Sequence, residues 1–275
     1  MNVLHDGITA SPPVRPGFFG DGAHRLFGIH HGPSGNSVRE CGIVLCHAAP
    51  QEYGATFWAM HKLAGMLAAA GFHVLRFDYS GTGDSAGSSY EVSLQRCADD
   101  IPIAMQHLRD VSGLRRVALV GLRLGAALAL RAVAAGARSR DVVLWNPVIS
   151  GNAYVAQLDA GEAHRLSLLN YPEPDVRLDD ELLGYPFSAA LRAETRNVNL
   201  LAEPLGRINR MLIVGTGTTP AQQALAARAQ AAGIDVVVRA LSDPELYVGD
   251  RHPGDSLLAH EVPLAIVAFL AAGMP

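Results

Sequence analysis

The chain has 275 residues, 49% of them hydrophobic and 17% charged, with a formal net charge of −4. That suffices to bury a full core, and it fits one large domain with a small insertion better than two independent domains. The acidic balance, with no basic stripe interleaved with aromatics, excludes a nucleic-acid footprint.

Lys62 is the only lysine among 22 Lys and Arg, so any single arginine carries little information by itself. Three cysteines, Cys41, Cys46 and Cys97, make no metal spacing and leave an odd count, which reads as a reduced cytoplasm. The N-terminal stretch lacks an apolar core and a basic flank, so no signal peptide is expected. No segment reaches the roughly 18 apolar residues of a membrane span.

In chain order, residues 1–14 read as a loose arm. Arg15–Phe19 and Arg25–His31 flank Gly20-Asp21-Gly22 and read as an antiparallel hairpin, because Asp-Gly supplies the positive φ of a tight turn. After the turn-rich Gly32–Asn36, Gly42–Cys46 reads as a buried parallel strand running into His47-Ala48-Ala49-Pro50. Helical spacing covers Phe57–Ala70, and Gly71 ends it. Phe72–Phe77 is the next strand, followed by a Gly-rich loop to Ser85 and a helix over Ser89–Asp110.

Arg116–Ala137 is the organising stretch. An apolar strand, Val117–Val120, meets the corner Gly121-Leu122-Arg123-Leu124-Gly125, and a buried helix follows from Ala126. Strands at Asp141–Trp145, Arg210–Val214 and Ile234–Leu241 alternate with helices at Pro220–Ala232 and Leu257–Ala272. Repeated βα units of this kind call for a mostly parallel sheet with helices on both faces. Residues 150–209 break the rhythm and read as a small cap over a core made of 15–149 and 210–275; the other reading is an insertion packed on a sheet edge.

The corner has the outline of the nucleophile elbow G-x-S-x-G of α/β-hydrolases, with Arg123 where the nucleophile would stand. Four stretches carry the wider likeness: GFHVLRFDYSGTGDSAG (71–87), GLRLGAALAL (121–130), LWNPVISGNAYVAQL (144–158) and LLGYPFSAAL (182–191). From about residue 40 to about residue 205 the chain resembles α/β-hydrolase-fold proteins of the serine aminopeptidase-like group. More narrowly it is similar to the hydrolase-like proteins of bacterial exosortase A systems, in the branch whose elbow reads GLRLG and where arginine is the usual elbow residue.

That resemblance implies a set of site positions. A guanidinium stays protonated and has no lone pair for attack, so Arg123 forms no acyl-enzyme. It either grips an anionic group beside the positive end of the following helix or reaches an acid of the cap, Asp159 or Glu162, and locks it shut. The position of the orienting acid reads Gly215-Thr216-Gly217-Thr218-Thr219-Pro220, and the alternative position holds Asn146, so the acid is missing too. His252, with Asp250 and Asp255 nearby, stands where the catalytic histidine would be. His47-Ala48 stands at the family's His-Gly pair, so the N–H groups of Ala48 (or Ala49) and Leu124 are expected to form an oxyanion hole. His47 itself is a proton carrier or a structural hydrogen bonder. Asp78 and Ser85 are expected to brace their loop and cap the next helix, and Cys46 to be a buried small hydrophobe.

Two functions follow. One is an enzyme acting on an ester, thioester or amide with an anionic group held by Arg123, with His252 or His47 moving a proton and no covalent serine intermediate. The other is an inactive pseudo-hydrolase serving as a binding or accessory protein. Either takes a small-molecule ligand with an acyl or anionic group, no cofactor and no metal, and oligomeric state stays open.

Overall fold

The computed structural model describes residues 13–34, 37–168, 180–243 and 260–273. His252, Asp250 and Asp255 lie outside the described residues, as do residues 1–12 of the expected arm. Strands β1 (Val14–Phe19) and β2 (Leu26–His31) form the expected hairpin. Next come β3 (Cys41–Cys46), helix α1 (Pro50–Ala69), β4 (His73–Phe77) and α2 (Leu94–Ser112). β5 (Arg116–Leu122), α3 (Leu124–Ala134) and β6 (Asp141–Trp145) make the centre, and β9 (Arg210–Thr216), α6 (Pro220–Ala231), β10 (Asp235–Leu241) and α7 (Glu261–Ala272) close the chain. Between β6 and β9 lie α4 (Gly151–Leu168), the small hairpin β7 (Glu181–Leu182) and β8 (Tyr185–Pro186), and α5 (Ala189–Arg196).

Eight strands form one sheet in the order β1-β2-β4-β3-β5-β6-β9-β10, with the β1–β2 and β2–β4 pairings antiparallel and the other five parallel. The central strands β3, β5 and β6 are almost wholly buried because helices cover both faces. On one face Leu119, Leu128, Ile101 and Leu225 share a core; on the other Leu63, Trp145, Leu212 and Ile266 do. The chain steps from β3 outward to β4 and then back across to β5, so the order reverses at the carboxyl ends of β3 and β5. A crevice is expected at such a reversal in an open α/β sheet.

Two helix starts differ from the sequence reading. α1 begins at Pro50, seven residues before Phe57, because proline at the first position suits a helix start and Glu52 lies in the first turn. α2 begins at Leu94, after a single 3-10 turn at Ser89–Glu91. The Ser88 and Ser93 side chains accept at the two N-termini. Capping therefore falls to Ser88 and Ser93, and not to Asp78 or Ser85.

Candidate active site

The elbow begins with crowding. A Cβ on Gly121 would fall against the backbone of Gly125 and Ala126, and one on Gly125 against the carbonyls of Cys46 and His47. Both positions therefore need glycine, and the helix is drawn tightly onto strand ends. Arg123 sits between them at φ 56, ψ −118, a backbone region costing about 1–3 kcal/mol for a residue with a side chain. Its N–H donates to the Trp145 carbonyl (2.9 Å), which ties the corner to the end of β6.

The guanidinium is buried, with Arg123 only 7% exposed. Nε donates to Glu52 Oε1 (2.9 Å), Nη2 to Gln157 Oε1 (2.9 Å) and Nη1 to the Asn146 carbonyl (3.4 Å). The Tyr154 hydroxyl donates to the other Glu52 oxygen (2.7 Å), and the Tyr154 ring lies under the guanidinium carbon at 5.3 Å. Burial and the Glu52 charge push the Tyr154 hydroxyl well above the ordinary phenol range, so it stays a donor. Arg123 is thus locked, but by Glu52 of α1 with Tyr154 and Gln157 of α4. The two acids expected as its partner are engaged elsewhere: Asp159 pairs with Arg192 (2.6 Å) and Glu162 with Arg165 (2.7 Å). The expected grip on a ligand anion meets a guanidinium already neutralised by Glu52, and Arg123 is not among the residues lining the cavity beside the elbow.

That cavity has a volume of about 400 Å3 and opens at the carboxyl ends of β3 and β4. Phe77, Leu94, Leu128, Phe187 and Leu191 give it apolar walls, the last two from the insertion between β6 and β9. Ala48 and Leu124 both line it. Leu124 opens α3, so its N–H has no partner within the helix and lies at the positive end of the helix dipole.

His47 lines the same cavity and is 2% exposed, its ring 5.1 Å from that of Tyr53. Burial, reinforced by the nearby Arg76 cation, pulls its pKa down to about 3, so the imidazole is neutral at physiological pH. Among the described residues nothing partners its Nδ1. Asp78, also on the wall, accepts from the Tyr53 hydroxyl (3.0 Å) and the Asp84 N–H (3.1 Å), and burial raises its pKa. Ser85 donates to the Asp78 carbonyl (2.6 Å) and accepts from the Phe27 N–H (2.8 Å), so it braces the loop as expected.

The strand ends expected to carry the orienting acid are held together by a hydrogen bond and close packing. Asn146, at φ 43, accepts from the Thr216 N–H (3.2 Å), and a Cβ on Gly215 would strike its side chain. Thr219 and Gln222 form a reciprocal capping box at the start of α6. Cys46 is fully buried, and desolvation pushes its thiol up to about 12, which leaves it inert. No group of three or more His, Cys, Asp or Glu able to hold a metal occurs among the described residues.

Glu52 is the residue that sequence reading missed. Its signal was Pro50 followed within one turn by an acid, the pattern of a helix start.

The family model for serine aminopeptidase, S33, matches residues 42–234, well over half of the chain. The chain belongs to that family. The match reaches from β3 through the elbow to the residue before β10, and so includes every site position described above except His252 and its neighbours Asp250 and Asp255. Solved structures agree on the fold. An esterase of Pyrococcus furiosus superposes with a TM-score of 0.67 at 14% identity, covering 100% of this S33 chain and 97% of its own. A hypothetical protein of Pseudomonas aeruginosa reaches 0.63 at 16% identity, covering 99% and 98%. An esterase of the bacterial hormone-sensitive lipase family reaches 0.60 at 18% identity, covering 97% and 86%. No curated protein matches this S33 chain by sequence. The exosortase-associated branch rests on the sequence stretches 144–158 and 182–191 alone.

Proposed function

We propose that this S33 chain is a small-molecule-binding member of its family, one that takes an apolar acyl compound into the cavity beside the elbow and forms no acyl-enzyme. The observation that carries this reading is the direction of Arg123: it stands at the expected nucleophile position, turns into Glu52, Tyr154 and Gln157, and itself presents no attacking atom to the cavity. The apolar walls suit a hydrocarbon chain, and Ala48 and Leu124, whose N–H groups are expected to form an oxyanion hole, both line the cavity. No helix among the described residues is long and apolar enough to cross a membrane, and Cys41, Cys46 and Cys97 are free thiols, which fits a cytoplasmic setting.

The expected pair of N–H groups on Ala48 and Leu124 favours a second reading: hydrolysis of an ester, thioester or amide by direct attack of water, with His47 or His252 carrying the proton. His47, held neutral with a depressed pKa, is a weak base for that task.

Both are tested by incubating the protein with p-nitrophenyl octanoate and with an alkyl fluorophosphonate. Saturable, reversible binding of octanoyl compounds without turnover or adduct is the expected result. Turnover abolished by His252→Ala would establish the enzyme reading instead, and a phosphonyl adduct on any residue of the cavity would overturn both.

A further inference from the structure

The two edges of the sheet are built differently. β1 carries Pro16, which has no N–H to offer, between Arg15 and Gly17, and such an edge resists further pairing. β10, at the other end, has neither proline nor lysine, and its register with β9 runs unbroken over all 7 residues. The Asp235 N–H donates to the Asn209 carbonyl (2.9 Å), so Asp235, Val237 and Arg239 turn their backbone groups toward β9. Val236, Val238 and Ala240 turn theirs to the open edge, and no strand among the described residues pairs there. Asp235 and Arg239 are exposed, and among the described residues neither side chain has an ion-pair partner. Helix α7 packs on β9 and β10, on the face that holds Val237. Residues 262–272 of α7 carry no charge, and Leu264, Ala268 and Ala272 leave an apolar stripe exposed.

We propose that the β10 edge joins a second copy of this chain, antiparallel, about a two-fold axis at Val237. In that register Val236 faces Val238 of the second copy. Both turn N–H and C=O groups outward, so each such pair closes two hydrogen bonds. Val237 meets its own counterpart, and on either side of it Asp235 meets Arg239 of the second copy. Those pairs carry no hydrogen bonds of their own, which is where facing side chains approach closest. Backbone, packing and charge are thus self-complementary, as a two-fold interface requires. Moving the axis by one residue sets Asp235 against Val237 or Leu241 instead and forfeits the charge pairs. A second copy is favoured over an unrelated strand because charges of opposite sign, placed evenly about Val237, match the same strand run backwards. The same axis brings both copies of α7 to one face of the joined sheet.

Sedimentation equilibrium of the full chain tests this. The wild type is expected to dimerise. Asp235→Arg and Arg239→Asp each set like charges opposite one another at two places, and each is expected to weaken the dimer about tenfold or more. An equimolar mixture of the two variants is expected to recover it, because opposite charges then face each other across the seam. The double variant, Asp235→Arg with Arg239→Asp, is expected to recover it as well, which separates lost pairing from lost folding. A wild type that stays monomeric up to about 100 µM overturns the inference. So does a dimer that neither single variant weakens, and so does weakening that neither the mixture nor the double variant restores.

Discussion

Arg123 Nε and Glu52 Oε1 stand 2.9 Å apart, with side chains 9% and 3% exposed. A buried pair of this kind gains little over an apolar pair, but it is costly to break from one side. Gln157, Tyr154 and the Asn146 carbonyl occupy the remaining hydrogen-bonding atoms, so removal of one charge strands the other in the interior.

Glu52→Leu is therefore expected to lower unfolding stability by about 3–5 kcal/mol. Arg123→Gly relieves backbone strain of about 1–3 kcal/mol and still strands Glu52, so it destabilises by less than Glu52→Leu does. The double variant should lose clearly less than the sum of the singles. Urea unfolding of the four proteins measures the coupling, and additive losses would show that the two residues act independently.

The two ion pairs on the insertion set a contrast. Asp159 and Arg165 are 43% and 42% exposed in their pairs with Arg192 and Glu162. Asp159→Ala is expected to change stability by less than about 1 kcal/mol. The same urea measurement checks it, and a loss near that of Glu52→Leu would make this pair the true fastening of the insertion.

Gly125→Ala should be among the most damaging single-methyl additions in the chain. Its Cβ meets two backbone carbonyls, of Cys46 and His47, and neither can yield without moving the end of β3. A loss of at least about 2–3 kcal/mol is expected, together with loss of octanoyl binding, because Ala48 follows directly. Unfolding and binding assays on the variant read both effects.

Stability should fall in mild acid. Burial, aided by neighbouring His73 and Arg76, holds the pKa of both His30 and His31 down to about 4, against 6.5 in the unfolded chain. Arg76 Nε donates to His31 Nε2 (3.2 Å), which needs that imidazole neutral, and the hydrogen bond between His30 and His73 (3.0 Å) leaves room for at most one proton beyond the neutral pair. Between pH 6.5 and 4 the unfolded chain takes up protons that the folded chain refuses, so the stability present above pH 6.5 is lost across that window. The urea midpoint measured from pH 7.5 to 4.5 should drop steadily, and His31→Gln should flatten the drop. A midpoint independent of pH in this range would show that neither imidazole is held neutral.

The fold was readable because its signals are local and redundant: apolar runs of strand length, glycine at the elbow, and proline at the start of α6. The corner at Gly121–Gly125 lies where the spacing puts it, and so does the parallel order around it. The partner of Arg123 was not readable, since Glu52 lies 71 residues away in the chain and the apolar periodicity of α1 begins only at Phe57. An arginine at the expected nucleophile position shows its charge in sequence but not its direction. Direction is set by which buried carboxylate the sheet order brings within reach.

The corner at Arg123 keeps φ 56 and ψ −118 without a hydroxyl or thiol to present. The bend therefore belongs to the packing of α3 against β3 and β5, enforced by two glycines, rather than to reactivity. A backbone template of a hydrolase elbow will accept this chain as readily as an esterase. The side-chain vector at the corner thus carries what the backbone does not, and an inward-facing carboxylate at the first turn of α1 becomes a mark by which other chains with an arginine at this corner can be found.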